Sequence, residues 1–346
     1  MDKIYINKES IKLLKSLGVD VVSSERKYWF LRTQNGTYYD EFKAYNFIGI
    51  EWDKLVDFNS IRDMSKDQLK EHIIEKDSSI ERPGYVASQI LRFCNEIRKG
   101  DIVLIPNEGS EEIAFGEVLS DDIVDNNTNN NKKDFQKVLD ETYSPSKKEA
   151  PLFEKKRRIK WLKTVKRDNL DPYLYNIIYS HNTIVGLQKY NFYIDRQLSD
   201  FYIKGDHAFF TYRVNKVSNI PYVDMLEFLN TNKKIIDYIN EKANLDINFD
   251  DIIMKINVQS KGPVQLKGTV KTILVFGVGI MLLCGGNFSF NGFGMNFSVE
   301  TEGVSKLINS VSKAINENND PELQVIKKEL ENSKDKLEIT VPNEKK

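Results

Sequence analysis

The chain has 346 residues, 50 Lys and Arg against 51 Asp and Glu, a formal charge of −1 and two cysteines. At roughly 100–200 residues per domain, this length fits two or three units. A hydrophobic fraction of 40% excludes a wholly disordered chain, and the high charge fraction excludes a many-span membrane protein. The balanced charge excludes a protein that coats nucleic acid by bulk electrostatics.

Cys94 and Cys284 stand alone, so neither a disulfide framework nor a cysteine zinc site is implied. A reduced, cytoplasmic setting is the expectation. Charges at Asp2, Lys3, Lys8, Glu9, Lys12 and Lys15 leave no apolar run for a secretory signal. The charge balance hides two local extremes. Lys147 to Arg167 holds ten basic residues against Glu149 and Glu154, and Thr272 to Val299 holds no charge.

In chain order, residues 1–25 read as a short amphipathic helix and a connector. Tyr28 to Arg32 reads as a strand, Asn35-Gly36 as a turn, Tyr38 to Tyr45 as a helix and Phe47 to Trp52 as a second strand. Asp63 to Lys76 and Tyr85 to Arg98 have helical spacing. Ile102 to Pro106 and Ile113 to Leu119 are strands, and Asp121 to Lys133 is a polar low-complexity loop. Ile159 to Val165 is a strand within the basic stretch. Asp171 to Tyr179 is short and helical, and Thr183 to Leu187 closes the unit. Tyr190 to Phe201 has mixed signals.

Further on, His207 to Val217 alternates like a strand and Pro221 to Lys242 is a helix. Ile252 to Val258 is a strand broken by Gly262-Pro263. Ser305 to Ile315 and the tail from Pro321 are helical, fading into disorder at Asn343 to Lys346. The domain expectation is 1–25, 26–188, 189–268, 269–300 and 301–346.

The ordered series Tyr28-Trp29, Phe42, Ile48-Gly49-Ile50-Glu51-Trp52, Ser88 to Phe93, Lys99-Gly100-Asp101-Ile102-Val103, Ile113 to Val118 and Arg157 to Leu162 carries a resemblance. Residues 26–188 resemble the PUA-like, EVE-related domain that precedes the nuclease in methylation-dependent restriction endonucleases of the Mrr type. The resemblance implies a small β-barrel with rim helices that binds DNA or RNA, often by taking one flipped, modified base into an aromatic pocket. Glu51 stands where the family usually has Gly, a departure that bears on which ligand the pocket takes.

A flipped base needs flat apolar walls and a few polar groups at its edge. Trp29, Tyr39 and Trp52 are the candidate walls, and Arg32 and Gln89 the candidate edge readers. Arg157, Arg158 and Lys160 are candidate phosphate contacts. Packing inside the barrel is the competing role for every aromatic.

Ile273 to Cys284 is a twelve-residue apolar run. Three readings are open: a short transmembrane helix, a buried helix or strand pair, and a membrane-dipping segment. Lys261, Lys267 and Lys271 before it would keep the N-terminal unit on the cytoplasmic face of the cell membrane. Asn287 to Val299 alternates around Asn291-Gly292 like a β-hairpin. The C-terminal half also vaguely resembles uncharacterised membrane-associated or defence-linked prokaryotic proteins.

A nuclease of the restriction type would hold Mg²⁺ with an Asp and a Gln-x-Lys. Asp250 or Asp251, with Gln259 and Lys261, is the only candidate set, and the Gly-Pro that follows argues against it. His72, His181 and His207 lack metal-ligand spacing, and no Walker loop or nucleophile elbow occurs. No cofactor and no metal site are therefore expected.

The sequence thus predicts an α+β protein: a PUA-like β-barrel with rim helices, then a smaller α+β domain with the apolar segment and hairpin. It predicts a non-enzymatic nucleic-acid sensor whose C-terminal half associates with a membrane or forms a homo-oligomer, in anti-phage defence. The alternatives are a divergent modification-dependent restriction nuclease and a nucleotide-signal-binding membrane effector.

Overall fold

The computed structural model describes residues 6–55, 58–61, 63–125, 153, 155–256, 261–285, 302–316 and 320–342. The chain is mixed α+β and includes a curled half-barrel sheet. It divides into two compact units, Glu25–Leu198 and a discontinuous one made of Met1–Ser24 with Ser199–Lys346.

Helix Lys8–Ser16 and strand β1 (Asp20–Val22) open the chain and belong to the discontinuous unit. Asn7 caps the helix by accepting from the Ser10 amide at 2.8 Å.

In Glu25–Leu198 the strands are β2 (Tyr28–Leu31), β3 (Phe47–Ile48), β4 (Ile102–Pro106), β5 (Glu112–Val118), β6 (Val124–Asp125), β7 (Lys155–Lys166) and β8 (Ile184–Gly186). Their order is β3-β7-β5-β4-β2-β8, with β6 also on β7. The β2–β4 pair is parallel and the other pairs are antiparallel.

Both faces of this sheet are covered, which is why Tyr28–Leu31 and Ile102–Pro106 are buried at every position. Trp29, Leu31, Val103, Ile105 and Ile159 share one core with residues of helices Tyr39–Tyr45, Lys66–Lys76 and Pro83–Leu91. Tyr28, Phe30, Ile102, Leu104 and Phe115 share the other with Leu174, Ile177 and Ile194. Ser65 and Gln68 form a capping box that starts helix Lys66–Lys76.

Several local expectations need correcting. The second strand stops at Ile48, and Glu51–Lys54 is a 3-10 turn, so Trp52 sits on a turn. The helix read over 85–98 is α-helical only to Leu91, and Arg92–Glu96 is π-helical. The mixed-signal stretch contains helix Asn191–Leu198. Val124–Asp125, read as loop, pairs with β7, and residues 126–133 of that loop lie outside the described residues.

The discontinuous unit adds β9 (Phe201–Lys204), β10 (His207–Val214), β11 (Ile253–Ile256), β12 (Gly262–Thr269) and β13 (Ile339–Thr340). The order is β1-β9-β10-β12-β11, with β13 beside the second half of β10. Gly262-Pro263, read as a break, begins β12 opposite Val214 and Arg213 of β10.

The apolar run forms helix Val270–Leu283, capped by Thr269. All but two of its residues are buried, against Phe210, Tyr212, Ile239, Val311 and their neighbours. Gly277 and Gly279 let it approach closely. A Cβ at Gly277 would lie 2.5 Å from the Phe201 ring, and one at Gly279 2.2 Å from Ile239 Cδ1.

The transmembrane reading of this run is therefore corrected. No helix among the described residues is long and apolar enough to cross a membrane. Fourteen residues span about 21 Å, short of the roughly 30 Å hydrocarbon core. The helix is apolar all round because protein surrounds it. The hairpin read at Asn287 to Val299 and the tail at 343–346 lie outside the described residues.

Candidate nucleic-acid interface

Several candidate residues face inward. Trp29 is buried, and its indole Nε1 donates to Asp101 Oδ2 at 2.8 Å. The same carboxylate accepts the backbone amides of Lys27 and Arg98, at 3.0 and 2.9 Å. Trp29 thus ties β2 to the turn before β4. Tyr39 is buried beside Thr164, and burial is the main cause that raises its phenol pKa.

Gln89 is also buried, and its Oε1 accepts the Ile184 amide at 2.7 Å. Arg157, a candidate phosphate contact, is fully buried instead. It donates to the carbonyls of Phe93 (2.7 Å), Cys94 (2.8 Å) and Asp121 (3.2 Å). Those acceptors include the π-helical turn, whose widened geometry leaves carbonyls to satisfy. Burial lowers the Arg157 pKa to about 10. A guanidinium committed to three carbonyls is closed to phosphate.

The half-exposed candidates converge at the start of β8. Arg32 donates to the Ser180 carbonyl, and its backbone amide bonds Thr183 O at 2.9 Å. Trp52 stands edge-on to Tyr85, with ring centroids 6.1 Å apart and an interplanar angle of 90°. The Tyr85 hydroxyl accepts the Thr183 amide at 2.8 Å and lies 3.1 Å from Thr183 Oγ1. Gln89 and Arg92 hold the amide and carbonyl of Ile184 from the same helical segment.

Beside Trp52, Glu51 is exposed and accepts the Tyr38 hydroxyl at 2.9 Å. Burial, then the Glu51 carboxylate, pushes the Tyr38 pKa up to about 12. Tyr38 is therefore a proton donor across the neutral range. The series Tyr38, Glu51, Trp52, Tyr85, Thr183 and Arg32 forms one polar and aromatic rim.

The basic stretch is sorted by β7. Arg158, Lys160, Lys163 and Lys166 are exposed, while Lys156 and Arg157 point inward. A bulge at Leu162 shifts the β5–β7 register between Phe115 and Gly116. Glu117 lies opposite Lys160 and Glu112 opposite Lys166, which offsets part of the positive charge. The Lys156 ammonium lies 4.4 Å from the Phe47 ring centroid. Nearby, burial raises the pKa of Glu41, and Lys156 opposes that shift. Lys147 and Lys148 lie outside the described residues.

A family model described as a domain of unknown function (DUF8426) matches residues 27–188. No curated protein and no solved structure matches the chain. The matched residues fall within the Glu25–Leu198 unit and include the whole rim.

The nuclease candidates do not come together. The β11–β12 register puts Asp251 and Lys261 at opposite ends of the pairing, about 27 Å apart by strand rise. Gln259 lies outside the described residues. Among the described residues no group of three His, Cys, Asp or Glu is placed to hold a metal.

Tyr38, Tyr85 and Thr183 were not legible as rim residues. Tyr85 carries one cue, since it opens an amphipathic helix whose apolar stripe continues at Ile90 and Phe93. Thr183 carries none.

Proposed function

We propose that Glu25–Leu198 is a nucleic-acid-binding module of PUA-like, EVE-related architecture that takes a base against Trp52. The observation that carries this reading is the half-exposed indole of Trp52, held edge-on to a Tyr85 whose hydroxyl is fixed by Thr183. A base stacked on an aromatic ring gains about 1–3 kcal/mol, comparable to the cost of unstacking it. The Thr183 hydroxyl, the Tyr38 phenol and the Glu51 carboxylate offer donors and acceptors to its edge. Exposed Arg158 and Lys160 can meet phosphates. The curled half-barrel sheet supports the architectural part.

In this account the chain is a non-enzymatic sensor, and the discontinuous unit relays or oligomerises. Membrane insertion of the apolar helix has no part in it, because that helix is core.

Fluorescence polarisation with DNA duplexes carrying or lacking 5-methylcytosine tests the proposal. Trp52→Ala should weaken binding about ten-fold, within the range for losing one stacked base. Absence of binding to any DNA or RNA at low salt would sink it.

A further inference from the structure

Next to the rim, where Arg32 bonds the Ser180 carbonyl, β7 leads into a second aromatic surface that ends at Tyr179. The chain turns through Arg167–Asn169 and enters a short 3-10 turn at Pro172–Leu174. Asp171 accepts the Tyr173 amide at 3.1 Å, and Pro172 fixes the backbone there. Asp171 is itself buried in an ion pair with Arg196. Tyr173 is thus carried on an anchored support.

The Tyr173 ring stacks on Tyr193, with centroids 4.4 Å apart and planes 13° from parallel. Behind Tyr193, the Arg196 guanidinium lies 5.4 Å from its ring centroid. With one face covered, Tyr173 is still 54% exposed. Tyr179 is 63% exposed, and its hydroxyl accepts from the Arg167 guanidinium at 3.1 Å. Tyr175 donates to the Arg167 carbonyl at 3.1 Å. Two open phenol rings and one arginine are therefore ordered within residues 167–179, at the end of a strand bearing Arg158, Lys160, Lys163 and Lys166.

Exposed aromatic rings are costly to leave in water, and fixed support lowers the entropy lost when something stacks on them. Flat rings at the end of a basic row suit bases joined by phosphates. We infer that Tyr173 and Tyr179, with Arg167, form a stacking platform for single-stranded nucleic acid, built from other residues than the Trp52 rim. The inference rests on the nucleic-acid reading above and extends it to a flanking single strand. A base stacks on the open face of Tyr173, and Arg167 holds a phosphate while steadying Tyr179.

The test uses the full-length chain and 12-nucleotide single strands of DNA and RNA of the same sequence, read by fluorescence anisotropy. Tyr173→Ala and Tyr179→Ala should each weaken single-strand binding about ten-fold, and Tyr173→Phe should keep it. Arg167→Gln should flatten the log–log salt dependence by about 0.7, the value for one phosphate on a single strand. Equal loss on both strands means the platform reads base faces alone. Loss on RNA only assigns it to RNA.

Duplex binding through Trp52 should be unchanged in all these variants, and circular dichroism checks that each is folded. If single strands bind but the tyrosine variants match wild type, the platform is overturned while the Trp52 reading stands. If single strands do not bind at all, the platform is also overturned, and the duplex titration judges the Trp52 reading by itself. Binding of a proline-rich peptide, lost on Tyr173→Ala, would overturn the nucleic-acid assignment as well.

Discussion

Arg157 illustrates how a single residue can leave the role its neighbourhood suggests. It sits in the most basic stretch of the chain, yet its guanidinium is sealed against three backbone carbonyls. Removing it leaves those acceptors buried and unpaired. Arg157→Ala should cost about 3 kcal/mol or more, measured by urea denaturation, because hydrogen bonds to charged groups are each worth about 1.5–3 kcal/mol. Arg158→Ala, on the exposed side of the same strand, should change stability by less than about 0.5 kcal/mol.

Glu41 supplies a pH signature. Burial raises its folded-state pKa above the unfolded value. The folded state then holds the proton more tightly than the unfolded state. Stability must fall as pH rises through the carboxylate range. Wild type should therefore lose stability relative to Glu41→Gln as the pH rises through and above the ordinary glutamate range, near about 4.3. A parallel pair of stability curves would contradict the placement of Glu41.

At the scale of elements, legibility followed burial. Strands β2, β4 and β5 and the long helix Tyr222–Lys242 stand out from apolar runs and spacing alone. Helix Asn191–Leu198 does not, because it buries Asp195, Arg196 and Gln197, three residues that read as surface. Tyr28 donates to that Asp195 at 2.6 Å, a partnership across most of the unit. β12 was hidden by its opening Gly262-Pro263. Within the candidate site, Trp52 and Arg32 were named on the same grounds as Trp29, Tyr39 and Gln89, and it is the structure that leaves those two half-exposed. The inward turn of Trp29 and Gln89 depends on pairings with Asp101 and Ile184, both remote in sequence.

Helix Val270–Leu283 was ambiguous for a physical reason. A segment buried on all sides by protein and one buried in lipid have the same composition. What separates them is length and the protein core packed around this helix, which approaches its two glycines closely. Gly277 faces the rigid rings of Phe201 and Phe210, while Gly279 faces the movable tip of Ile239. Gly277→Ala should destabilise by about 1–3 kcal/mol, the usual cost of overpacking a core. Gly279→Ala should cost less, since a rotamer change at Ile239 relieves the clash and alanine favours the helix by about 1 kcal/mol. Equal effects in thermal denaturation would argue against this packing.

For the whole molecule, the discontinuous unit has a direct consequence. Leu13 and Leu14 of the first helix and Leu17 just after it share a core with residues from the far end of the chain, such as Leu330 and Leu337. Leu14→Ala should destabilise that unit by about 2–5 kcal/mol, the range for emptying a buried leucine site. Removing residues 1–24 should do more, because β1 also pairs with β9. Calorimetry of the full chain reads both as a lowered transition.

The central claim is that the Glu25–Leu198 unit binds nucleic acid at the Trp52 rim. The most direct measurement is a polarisation titration of the full-length chain with a 5-methylcytosine duplex, run for wild type, Trp52→Ala and Trp29→Phe. The account predicts saturable, salt-sensitive binding that Trp52→Ala weakens about ten-fold. Trp29→Phe should lose stability without losing affinity in the folded fraction, because Trp29 is buried and bound to Asp101. Binding unaffected by Trp52→Ala, or no binding at low salt, would contradict it.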